Sequence, residues 1–156
     1  MASTSATDLF DAIAAEAAVE SPLWAEQLRP DPEREPVFGA LAPERFALGL
    51  ETIYEGYLVH YGRARVFAAG EAETALLLGD YLYAHGLVRI AATGDLDAVA
   101  ALAELISTCA HLRAEDAPGD GEAWVAAVRR LGAEPAPDAV ERALAAHAGR
   151  LVSSRP

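Results

Sequence analysis

Apolar residues recur along this chain at intervals of three and four between Gly and Pro breakers, and β-branched residues nowhere alternate with period two. That pattern predicts an all-α protein. A first helix is predicted from about Asp8 to Glu20, and Ser21-Pro22 then supplies an N-cap with Pro at the first helical position for a short helix through Trp24 and Leu28. Pro30, Pro32, Pro36 and Pro43 mark 30–43 as an irregular connector that tucks Phe38 or Leu41 under the fold, and Pro43 starts the next helix. From Pro43 to Tyr61 a helical projection places Phe46, Leu50, Ile53, Tyr54, Tyr57 and Tyr61 on one stripe, which predicts a buried aromatic face.

After a break at 62–70, the segment from Glu71 to Ala92 is apolar around almost its whole circumference, which predicts a helix enclosed by others. Asp80, His85 and Arg89 interrupt it, so it does not read as a membrane span. Gly94 ends that helix and Asp95 caps the next, which runs to about Glu115 with Val99, Leu102, Leu105, Ile106, Cys109 and Leu112 inward. A short helix follows with Trp124, Val128 and Leu131 on one stripe; it stops at Gly132, and a linker at 132–138 leads to a last helix from about Asp138. No internal repeat divides the chain, which reads as one helical domain over 1–156.

Gly49 and Gly56 lie seven apart on one predicted helix, and Gly79 and Gly86 lie seven apart on the next. Each helical Gly costs about 1 kcal/mol relative to Ala. Seven residues are nearly two turns, so each pair shares a face, and the two helices are expected to pack groove against groove with their backbones close. Asp80 projects among Leu76, Leu87 and Ala91 and is therefore expected to be a buried carboxylate, held by buried donors or by an arginine, or facing a cavity. Glu51 and Glu55 share one face, as do Glu104, His111 and Glu115, and both sets read as solvated helix surface.

The 156 residues carry 24 acidic against 12 basic side chains, a formal charge of -12, which argues against a nucleic-acid partner. Every basic residue is Arg, so neither Schiff-base chemistry nor a P-loop is expected. Cys109 is alone, which suits a reducing compartment, and the first twenty residues lack the basic start of a signal peptide, so a cytoplasmic location is expected. His60, His85, His111 and His147 fall on four predicted helices with no Glu-x-x-His or His-Glu-x-x-His pair, and no nucleophile elbow or Gly-rich phosphate loop occurs. No metal, no cofactor and no catalytic residue is assigned.

The run from Ala75 to Asp116 resembles trans-type polyprenyl diphosphate synthases, through Leu78, Gly79, Asp80, Tyr81, Leu82 and Ala84, then Gly94-Asp95, then Ala114-Glu115 where that family has Gly-Glu. The resemblance implies a helical bundle like part of the isoprenoid synthase fold. That family's two DDxxD motifs, which bind Mg²⁺ and the allylic diphosphate, are missing: no Asp occurs between Asp31 and Asp80, and Asp120 and Asp138 stand alone downstream. The implied function is a non-catalytic polyprenyl-synthase-like protein in isoprenoid biosynthesis that works by association, as a homodimer or as partner of a catalytic synthase subunit. The predicted contact is the apolar surface of the 43–61 and 71–92 helices. The alternative is an isoprenoid-like or other lipid-like ligand in a cavity between those helices, with Tyr54, Tyr57, His60, Tyr61, Asp80, Tyr83 and His85 as its polar fittings.

Overall fold

The structure is a computed structural model that describes residues 5–151. It consists of helices α1 (Ala6–Glu20), α2 (Pro22–Ala25), α3 (Glu44–Tyr61), α4 (Ala72–Ala91), α5 (Leu96–Ala114), α6 (Asp120–Arg130) and α7 (Pro137–Arg150), with a 3₁₀ turn at Gly39–Leu41. Among the described residues the one β-type pairing is an isolated bridge between Leu28 and Phe67. The protein is all-α, and among the described residues no helix is long and apolar enough to cross a membrane.

Local chemistry sets the helix ends. Ser5 caps α1 and exchanges hydrogen bonds with Asp8 in a capping box, so α1 begins just before the predicted Asp8. Ser21 caps α2, which ends at Ala25 rather than Leu28 because the chain turns there to pair with a later loop. Arg29 N–H donates to Val66 O at 2.8 Å, and Ala68 N–H to Gln27 O at 2.8 Å. Gly94 and Gly132 follow helix ends with φ of 85° and 97°, left-handed geometry that a side chain would strain.

Helices α3 and α4 form the most extensive pairing in the fold. Their glycines meet: a Cβ on Gly56 would lie 3.0 Å from Gly79 O, and one on Gly86 would lie 3.0 Å from Gly49 O. The core has two parts. The larger surrounds α3 and joins Phe38, Phe46, Leu50 and Ile53 to Leu102 and Leu105 of α5 and Trp124 and Val128 of α6. The smaller joins Phe10, Ile13 and Ala17 of α1 to Trp24, Val66, Phe67 and the inner residues Leu78 and Leu82 of α4.

Two expectations change here. The enclosed helix is α3, buried on all sides from Gly49 to Leu58, and not α4. On α4, Leu76, Leu77 and Val88 are 56%, 57% and 63% exposed, because α1, α3 and α5 cover one side of the helix and none of the described residues covers the other. Asp80 is likewise exposed rather than buried, since it turns outward from the side of α4 that carries Gly79 and Leu82.

Candidate functional site

The strongest electrostatic feature was read from the sequence as solvated surface. Glu51 and Glu55 are fully buried with Arg65, which the chain delivers from the loop after α3. Arg65 bonds Glu51 through Nη1 and Glu55 through Nε at 3.0 Å. The carboxylates then spend their other lone pairs on backbone: Glu51 Oε2 accepts from Val37 N–H at 3.1 Å and Gly39 N–H at 2.6 Å, and Glu55 Oε2 from Val66 N–H at 2.7 Å. The guanidinium lies 4.6 Å from the Phe10 ring and 5.0 Å from the Tyr54 ring. Burial alone would weaken its hold on its proton, but the two carboxylates outweigh that and raise its pKa above the ordinary value. This cluster ties the 37–39 turn and the 65–67 loop to α3; it presents nothing to solvent, so its role is to fix those segments.

The seven candidate polar residues do not line a common cavity, because the glycine faces close α3 directly on α4. Six of them form one run of contacts from the core to the surface, joined where the Tyr57 and Tyr61 rings meet at 5.1 Å, and His85 stands apart. Tyr54 and Tyr57 point into the main core, where Tyr54 OH is 2.7 Å from His147 Nδ1 of α7 and Tyr57 OH donates to Asp120 at the start of α6. Burial pushes both phenols well above their ordinary range. Burial also lowers the His147 pKa and pushes the Cys109 thiol up to about 12, so the thiol is not primed for thiolate chemistry at neutral pH.

At the edge of the α3–α4 contact, His60 Nε2 lies 3.2 Å from Asp80 Oδ1, and the His60 ring packs at a tilt 5.1 Å from Tyr83 and 5.5 Å from Tyr61. Burial lowers the His60 pKa, and Asp80 offsets part of that effect. On the opposite flank of α4, His85 Nε2 contacts Glu16 of α1 at 2.7 Å, and Arg89 bonds the same carboxylate. Gly49, Gly56, Gly79 and Gly86 all sit in the α3–α4 seam. Among the described residues no group of three or more His, Cys, Asp or Glu side chains is arranged to hold a metal.

Among the described residues, two accessible features stand out, a face and a cleft. The face is the outer side of α4, where Leu77, Ala84, Val88 and Ala91 share one stripe flanked by Leu76. The cleft, of about 670 Å³, lies at the C-terminal ends of α3 and α5 beside the 62–69 loop. A signal for the buried cluster was present in the sequence: two glutamates one turn apart with Leu48, Leu58 and Val59 on the same side of the helix, where exposed like charges would repel. No family model, no curated protein and no solved structure matches this chain.

Proposed function

We propose that this chain works by association, as a non-catalytic polyprenyl-synthase-like protein that pairs with a second copy through the outer face of α4. The observation that carries this reading is three large aliphatic side chains, Leu76, Leu77 and Val88, each more than half exposed on a single helix. Leu77, Ala84 and Ala91 recur every seven residues, the spacing of a helix seam. Laid antiparallel across Ala84, two copies set Leu77 against the partner's Ala91, a large side chain into a small one. Asp80 flanks this stripe and is drawn sideways by His60 of α3. The polyprenyl-synthase part of the proposal and a role in isoprenoid biosynthesis rest on the resemblance carried by Ala75–Asp116 alone.

Each copy carries a charge of -12, so pairing works against repulsion, and raising the salt concentration is expected to tighten it. Light scattering over a concentration series is expected to give a dimer, and Leu77→Glu with Val88→Glu is expected to give a folded monomer. A wild-type monomer at about 100 μM, corresponding to association weaker than about 5.5 kcal/mol, overturns the self-association. A monomer that instead binds a purified polyprenyl synthase places the synthase, not a second copy, on this face.

A further inference from the structure

The cleft at the ends of α3 and α5 concentrates positive charge on an acidic molecule. Arg29, Arg63 and Arg113 line it, and Asp116 is the one carboxylate among its lining residues. Acidic residues outnumber arginines 24 to 12 in the chain, yet none of these three arginines takes part in an ion pair among the described residues. Two are steadied from behind by backbone: Arg29 Nε donates to Ala64 O at 3.2 Å and Arg63 Nη1 to Gly149 O at 3.4 Å. The third, Arg113, holds its guanidinium 5.4 Å from the Tyr61 ring. A guanidinium has five N–H donors, so most of the donors at this cleft are unspent. The nearby carboxylate of Glu33, which feels Arg63 and Arg29, is already taken by Arg150 at 2.8 Å.

The walls differ from the rim. Val59, Ala69 and Leu151, all partly exposed, give the cleft an apolar side, and its volume falls within the range of about 300–1,000 Å³ usual for small-molecule sites. Three guanidinium forks lining one cleft offer more donors than one carboxylate with two oxygens can accept, whereas a phosphate monoester offers three oxygens and close to two negative charges at neutral pH. We propose that this cleft binds a small organic phosphate monoester, its phosphate held by Arg29, Arg63 and Arg113 and its apolar body laid on Val59, Ala69 and Leu151. No residue of α4 lines the cleft, so the site stands independently of the association proposed above.

The test is calorimetric titration of the full chain with octyl phosphate, beside octanoate and inorganic phosphate at the same ionic strength. Octyl phosphate is expected to bind at least about tenfold more tightly than either comparison anion, a difference of about 1.4 kcal/mol, and its affinity is expected to fall as salt rises. Arg63→Gln with Arg113→Gln, both at exposed positions, is expected to keep the wild-type melting temperature and to weaken octyl phosphate at least about tenfold. Absent saturation, octanoate binding as well as octyl phosphate, inorganic phosphate binding as well as octyl phosphate, or unchanged affinity in the double variant would each overturn the assignment.

Discussion

Helices α3 and α4 share the longest contact in the molecule and treat their side chains in opposite ways. α3 buries two glutamates, a threonine and two tyrosines, while α4 exposes two leucines and a valine. The difference lies in whether each polar group meets a partner. Glu51 and Glu55 have Arg65 and five backbone N–H groups, the Thr52 hydroxyl donates to Leu48 O at 2.7 Å, and the two tyrosines have His147 and Asp120. A helix whose polar groups are satisfied inside the protein can occupy its centre, whereas an apolar helix is buried only as far as neighbours exist to cover it.

The largest way to break this contrast is Arg65→Met, which leaves two carboxylates buried without a cation. It is expected to cost about 3–5 kcal/mol, read as a shift of the denaturant midpoint. Glu104→Gln, which removes the exposed pair with Arg130, is expected to leave that midpoint nearly unchanged. If the two variants melted alike, α3 would not owe its central place to the cluster.

Gly86→Leu attacks the seam itself. A Cβ there already lies 3.0 Å from Gly49 O, so the helices must separate, at an expected cost of about 1–3 kcal/mol in thermal unfolding.

Acid sharpens the comparison next, because the polar interior around α3 contains imidazoles whose pKa values are held below 6.5 by burial. Above that value neither folded nor unfolded chain protonates His60 or His147. Below it the unfolded chain takes up protons that the folded chain refuses, so stability is lost as pH falls, by up to about 1.4 kcal/mol per pH unit for each ring. Melting temperatures from pH 7.5 to 5.5 are expected to fall for wild type and to fall less steeply for His147→Gln. A flat wild-type profile contradicts the burial of these rings.

The smallest effect on stability is expected on α4. Leu77→Glu and Val88→Glu are expected to change the melting of the dilute chain by no more than about 0.5 kcal/mol. A loss of several kcal/mol would mean that this face is packed rather than open.

The helices and their caps were legible because they depend on local chemistry: Ser21-Pro22, Asp95, Gly94 and Gly132 each mark a helix end within a few residues. The glycine spacing likewise indicated which faces of α3 and α4 approach. Burial was less legible, since it depends on partners distant in sequence. Glu51 and Glu55 look like surface until a loop ten or more residues later returns Arg65, and Asp80 looks buried until α4 is seen to lack a cover. The cleft had no local signature at all, because Arg29, Arg63 and Arg113 come to line one cleft only when the ends of α3 and α5 and the connector converge.

The most direct test of the claim that α4 is an association face uses a cysteine at its centre. The native Cys109 is buried, with its thiol pushed up to about 12, so it contributes little background. Mild oxidation of Ala84→Cys is expected to give a disulfide-linked dimer on a non-reducing gel, while Ser107→Cys on the outer side of α5 is expected to stay monomeric. Cross-linking of Ser107→Cys to the same extent, or none at Ala84→Cys, would contradict the account.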